Sequence, residues 1–309
     1  MGTPGFAVAS LDRLVSEGYN IVGVITVPDK PAGRGQQVQQ SEVKRYALQK
    51  NLRILQPEKL KDPAFLEELR ALKADLQIVV AFRMLPEAVW SMPPLGTFNL
   101  HGSLLPKYRG AAPINRAVMN GEKETGVTTF FLQHAVDTGN IIFREATPIG
   151  EDETAGEVHD RLMQIGAQLV QKTVDAIAGG VAPRISQDVF VTPGETLPSA
   201  PKLFREDCRI DWTKSAEEIR NFVRGLSPYP AAWTELQSAD GKNIALKIFS
   251  VELQPNGAPG RPGGLSEGMN VRCGNGSLII KELQAAGKKR MSAEEFLRGY
   301  RLREDDRFA

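Results

Sequence analysis

Two rhythms of apolar and polar positions succeed one another along the chain. Short apolar or β-branched runs at residues 20–27, 52–55, 76–82 and 125–133 read as strands. The unbroken run at 76–82 reads as a strand covered on both faces. Between and after them, residues 7–17, 41–50, 63–73, 85–92 and 155–179 carry helical spacing, with Ser41 placed as an N-cap. Alternation of this kind predicts an α/β fold with a Rossmann-like, mostly parallel sheet. Past residue 202 the rhythm changes. Residues 215–226 form an amphipathic helix with Ser215 and Glu218 spaced as a capping box. Short β patterns at 232–236, 244–253, 269–273 and 277–283 are separated by Gly- and Pro-rich turns, which predicts a small β-barrel. Residues 182–202 hold several prolines and few large apolar side chains and read as a linker. The expected division is therefore 1–181, 182–202 and 203–309.

One stretch organises the rest: Phe98-Asn99-Leu100-His101-Gly102-Ser103-Leu104-Leu105-Pro106. It begins as a strand, so Asn99 and His101 point to one face while Phe98 and Leu100 anchor the other. Gly102 leaves room beside the two polar groups, and Pro106 ends the strand. Polar groups at the carboxyl end of an α/β strand sit where such folds put ligands, although Asn-x-His alone is a short pattern that an ordinary half-exposed strand end also fits. Pro113 suits the first turn of a helix ending near residue 120. Asp137 precedes Thr138-Gly139, a turn composition that either fixes a carboxylate at a loop tip or makes an ordinary Asx turn.

Composition and charge narrow the options. The 309 residues suffice for two cores, and no apolar run is long enough to span a bilayer. Cys208 and Cys273 form no CxxC, and His101, His134 and His159 are the only imidazoles, so no metal site is indicated. Gly33-Arg34-Gly35 is too short for a dinucleotide fingerprint, so the sheet does not imply NAD. The net charge of +1 removes a global basic field, and any polyanion must meet local patches. Two candidates stand out: the loop at 28–37, irregular by its prolines and glycines and carrying Lys30 and Arg34, and the run Lys288-Lys289-Arg290. Solvated surface charge is the competing reading for both.

The run NLHGSLLPKYRG from Asn99 to Gly110, with Ala111-Ala112-Pro113 and Asp137-Thr138-Gly139, resembles the folate-dependent formyltransferase family over nearly the whole chain. The resemblance implies a catalytic domain followed by an OB-fold-like, RNA-binding barrel. It implies 10-formyltetrahydrofolate as donor, the initiator methionyl-tRNA as acceptor, a cytoplasmic monomer, and neither metal nor membrane. Asn99, His101 and Asp137 fall on the family's catalytic positions, and Ser103, Leu104, Leu105 and Pro106 along its folate site through backbone groups. Lys30 and Arg34 fall on the loop that meets the acceptor end of the tRNA, and Lys288, Lys289 and Arg290 on a phosphate-contacting patch. One departure concerns the opening. A similar Gly-Thr-Pro loop follows the first central strand in the family, so with Gly2-Thr3-Pro4 at the start that strand is expected to be missing, leaving a gap in the core.

Formyl transfer needs a neutral amine, a donor for the developing oxyanion and a route for protons. Asn99 offers an NH₂, a protonated His101 offers another donor, and Asp137 orients the imidazole or takes a proton. No Ser or Cys nucleophile is required, so direct attack through a tetrahedral intermediate is expected. A formyltransferase acting on a nucleotide amino sugar is the alternative within the same chemistry. Enzymes acting on glycinamide ribonucleotide lack the second domain and tend to carry Pro where Gly102 stands. A non-catalytic RNA-binding protein on an α/β scaffold is the alternative from another class.

Overall fold

The structure is a computed structural model that describes residues 1–32, 37–238, 241, 243–254, 261–303 and 305–309. Two compact units divide the chain: one comprises Met1–Gly110, Thr125–Thr147 and His159–Ser199, the other Ala111–Glu124, Pro148–Val158 and Ala200–Ala309. The division differs from the contiguous one expected at 181 and 203, because two short segments of the amino-terminal half belong with the carboxyl-terminal barrel.

In the first unit, strands Gln77–Val80 and Thr97–His101 run parallel, and Glu124–Phe131 and Ile141–Pro148 extend the sheet beyond them. Glu124–Phe131 pairs antiparallel with Thr97–His101 and sets Thr128 opposite His101. A second parallel pair, Val24–Ile25 with Ile54–Leu55, is shorter than the apolar runs at 20–27 and 52–55 suggested. Met1 and Gly2 join the two pairs. The Gly2 N–H donates to Ile25 O at 3.1 Å, the Val80 N–H donates to Met1 O at 2.9 Å, and the Met1 amino group donates to Ile78 O at 2.6 Å. Beneath this join lies a cavity of about 140 Å³, lined by Ala7, Leu14, Val24, Val43, Leu72 and Val80 among others.

The helices form where capping and spacing direct. Ser41 Oγ accepts from the Lys44 N–H at 3.0 Å at the start of Glu42–Gln49, and Asp62 caps Pro63–Ala71. The long helix Ala155–Ala178 brings Gly166 against the sheet, where an added Cβ would lie 2.8 Å from Leu100 Cδ2. Close packing on Leu100 holds the strand from the face opposite Asn99 and His101. The loop at 28–37 was expected to be irregular, and its flanks are not. Lys30–Ala32 pairs antiparallel with Gln37–Gln39, because extended backbone tolerates Pro31 at the edge of a two-stranded ladder.

Residues 182–199 do more than connect. Ile185 bridges to Ile141, Gln187–Phe190 forms a 3₁₀ turn capped by Ser186, and Pro198 O accepts from the Tyr108 N–H at 2.6 Å.

The second unit contains the small barrel. Its antiparallel order is Leu265–Ser266, Asn270–Arg272, Ser277–Ala285, Asn243–Gln254, Ala232–Gln237 and Arg307–Phe308. A bridge between Gly264 and Arg307 and a bond from the Phe308 N–H to Gly263 O at 2.8 Å nearly close the circuit. Leu236, Leu246, Ile248, Leu278, Ile280 and Leu283 fill the interior, and Trp212 stacks on Phe308. Helix Ala216–Leu226 carries the predicted Ser215–Glu218 capping box. Its Arg220 and Arg224 are buried and grip residues 150–153: Arg220 donates to Asp152 Oδ1 at 2.5 Å, and Arg224 to Glu153 O at 2.9 Å.

Phe98 is fully buried on the anchoring face of the Asn99–His101 strand. Phe98→Ala is expected to destabilise the protein by roughly 3–5 kcal/mol, read as a lower urea midpoint.

Candidate functional site

Strand Thr97–His101 presents its polar side chains as the alternation requires, with Phe98 and Leu100 buried behind. Asn99 is half-buried, and its side-chain amide makes no hydrogen bond among the described residues. An amide in that state is free to meet a ligand. His101 is 6% exposed. Its Nε2 lies 2.8 Å from Tyr108 O, and a carbonyl can only accept, so Nε2 carries the proton. Tyr108 holds that carbonyl in place from a left-handed backbone at φ 61°, an uncommon conformation for a bulky residue.

With Nε2 protonated, Nδ1 presents a lone pair. Facing it, at 3.9 Å, is Asp137 Oδ2. Burial pushes the His101 pKa below the ordinary 6.5, opposed by the Asp137 charge and the Tyr108 hydrogen bond. The imidazole is therefore neutral near pH 7. With that shift, a second donor exists only after His101 has received a proton, and Asp137 faces the nitrogen that would take it.

Asp137 is itself fixed on several sides. Its backbone is left-handed at φ 54°, and its Oδ2 accepts from the Gly110 N–H at 3.0 Å. Gly110, at φ 127°, has a backbone that side chains rarely allow. Gly139 lets the loop close onto the sheet, since a Cβ there would lie 1.6 Å from Phe131 O. Thr138 Oγ1 donates to Ala135 O at 2.9 Å and ties the tip to itself. The three predicted catalytic residues are thus all in the first unit, with His101 and Asp137 in direct apposition and Asn99 two positions along the same strand.

The expected folate segment behaves differently. Ser103, Leu105 and Pro106 are buried, and Leu104 alone of the four is half-exposed. Ser103 Oγ donates to Lys107 O, Thr128 Oγ1 donates to Ser103 O, and Thr128 Oγ1 accepts from the Leu105 N–H. Those side chains and backbone groups brace the loop after His101 and offer little open surface. One residue that sequence reasoning missed lies against the site. Gln187, read as linker, is buried against the Asp137 loop.

Of the basic candidates, Arg34 lies outside the described residues. Lys30 is exposed on strand Lys30–Ala32. In the second unit Lys288 and Lys289 are exposed, whereas Arg290 pairs with Glu282 and covers the Phe249 ring at 4.5 Å. The basic run therefore splits into two open lysines and one arginine with an internal partner. His134 and His159 are surface residues: His134 meets the edge of Trp90 and lies 3.5 Å from Glu87, and His159 lies against Phe6 and 3.0 Å from Asp160. Among the described residues no three His, Cys, Asp or Glu side chains gather to hold a metal.

Comparison with known proteins agrees along the chain. A formyl transferase family model matches residues 1–174, and the model of the formyl transferase C-terminal domain matches residues 202–301. A methionyl-tRNA formyltransferase of Parabacteroides distasonis is 57% identical over 97% of this chain and 94% of its own length. One of Bacteroides thetaiotaomicron is 55% identical over 98% and 95%. Among solved structures, an N-formyltransferase from Helicobacter canadensis, crystallised with folinic acid and dTDP-3-aminofucose, shares the fold at a TM-score of 0.64. Its identity is 22%, over 94% of this chain and 97% of its own. HypX from Aquifex aeolicus with tetrahydrofolic acid gives a TM-score of 0.58 at 18% identity; the match covers 81% of this chain and 43% of HypX.

The sign of the His101 shift can be tested. Because its folded pKa is depressed, this residue's contribution to stability is complete above 6.5 and is lost as pH falls from there through the folded value. Imidazole NMR titration is expected to place His101 below 6.5, and Asp137→Asn to lower it further by removing the opposing charge.

Proposed function

The chain belongs to the formyl transferase family, and from that premise we infer that it moves a formyl group from 10-formyltetrahydrofolate to the amino group of initiator methionyl-tRNA, in support of translation initiation. The observation that carries the chemistry is the unpartnered Asn99 amide on the same strand as an imidazole that faces a carboxylate at 3.9 Å. Asn99 donates to the formyl oxygen as the amine attacks and negative charge develops there. The His101–Asp137 pair takes the proton released by the attacking nitrogen onto Nδ1, where the carboxylate stabilises the cation. The tetrahedral intermediate then breaks its bond to the folate nitrogen, and that nitrogen receives the proton. A C–N bond forms, a C–N bond breaks, and the pair returns to its starting state without metal or nucleophilic side chain.

On this reading the donor lies against Asn99 and Leu104, with the buried Ser103, Leu105 and Pro106 fixing the loop beneath it. Lys30, Arg34, Lys288 and Lys289 meet tRNA phosphates, and Arg290, tied to Glu282, contributes less. The amino-terminal unit carries the catalysis and the barrel contributes RNA contacts. No helix among the described residues is long and apolar enough to cross a membrane, and a monomer working in the cytoplasm fits a translation enzyme.

Incubation with 10-formyltetrahydrofolate and charged initiator tRNA, beside elongator tRNA and a nucleotide amino sugar, separates the acceptors. Formyl is expected on the initiator alone, and formyl on the sugar alone would select the other acceptor. Asn99→Ala is expected to keep folate affinity and lose about two to three orders of magnitude in kcat. Replacing Lys288 and Lys289 by Ala is expected to weaken tRNA binding and to make its salt dependence shallower by about one unit per lost phosphate contact.

A further inference from the structure

Gln187 stands where nothing in the chemistry above requires a residue, yet its amide is used completely. It is 3% exposed, on the 3₁₀ turn Gln187–Phe190. Its Nε2 donates to Asp137 O at 2.9 Å and to Gly139 O at 2.9 Å. Its Oε1 accepts from Arg109 Nε at 3.1 Å and from Arg109 Nη2 at 2.6 Å. The guanidinium settles which end of the amide is oxygen, because its Nε and Nη2 can only donate. The NH₂ must then point at the two carbonyls. Those carbonyls flank Thr138, so one side chain holds both ends of the turn on which the Asp137 carboxylate is mounted.

The turn needs such a hold. Asp137 sits at a positive φ that a non-glycine residue avoids unless its surroundings impose it. Its carboxylate takes one N–H bond from Gly110, which fixes the oxygen but not the backbone. Gln187 fixes the backbone. Arg109, which orients Gln187, immediately precedes Gly110, so two neighbouring residues grip the aspartate, one through its carboxylate and one through the amide behind it.

We propose that Gln187 is a positioning residue for the transfer reaction: it acts through the Asp137 and Gly139 carbonyls, with Arg109 setting its orientation, to hold the Asp137 carboxylate against His101. The proposal rests on Asp137 serving the reaction, and it makes the segment 182–199 part of the catalytic apparatus.

Gln187→Met keeps side-chain length while removing all four hydrogen bonds. With 10-formyltetrahydrofolate and initiator methionyl-tRNA, kcat is expected to fall about 100-fold, as a misplacement of 1 Å does, with KM for the folate unchanged. In the same variant the NMR-measured His101 pKa is expected to drop, since the opposing carboxylate has moved away. A residue that only stabilised the fold would lower the melting temperature and leave the His101 titration in place. Parental kcat together with a parental His101 pKa would overturn the proposal. If Gln187→Met does not fold, Arg109→Gln leaves Gln187 intact and loosens only its orientation; the same two readouts apply, and parental values again overturn it. Asp137→Ala is run in parallel. Parental turnover there would overturn the site assignment itself, whereas lost turnover there with parental Gln187 variants would overturn this proposal alone.

Discussion

The site depends on one electrostatic relation, a carboxylate 3.9 Å from the unprotonated nitrogen of a buried imidazole. Burial alone drives histidine toward the neutral form, and an adjacent anion drives it toward the cation. The two influences on this imidazole oppose each other. The direction of the shift shows that burial prevails in the resting protein. A fully exposed pair would lose most of this leverage to solvent screening, and a buried histidine without the aspartate would be too poor a base to help.

Such a relation is sensitive to distance, and much of the first unit keeps that distance constant. Tyr108 and Asp137, on opposite sides of the imidazole, both occupy left-handed backbone. Each is held by bonds that local sequence would not supply: Tyr108 through Pro198 O, Asp137 through Gly110 and Gln187. Thr128, set opposite His101 by the sheet register, fastens the loop that follows it. Backbone strain therefore gathers on either side of one ring, and the cost is met by a frame drawn from distant parts of the chain.

The strand Thr97–His101 was legible because alternation has a period of two and the polar side chains at 99 and 101 interrupt an otherwise apolar run. The capping box at Ser215–Glu218 was legible because it is wholly local. Asp137 could be singled out by turn composition, but its role came from resemblance, since the same residues make an ordinary Asx turn. What stayed hidden was non-local. Gln187 sits in a proline-rich stretch with no periodicity, and its partners lie 48 and 50 positions back along the chain. The resting charge of His101 could not be read either, because it depends on burial. The prolines and glycines at 28–37 concealed the pairing of Lys30–Ala32 with Gln37–Gln39. The basic run at 288–290 looked uniform in sequence, and only the cross-strand approach of Glu282 separates Arg290 from its neighbours.

The assignment of residues 111–124 and 148–158 to the barrel's unit bears on how separable the halves are. Arg220 and Arg224 find their acceptors in residues 150–153, well before the barrel begins in sequence. A fragment starting near residue 203 would inherit both guanidinium groups and none of those partners. The two family-matched segments are thus not interchangeable modules. The carboxyl-terminal half completes itself with pieces of the amino-terminal one, so a recombination event that swapped one half alone would have to bring those borrowed pieces with it.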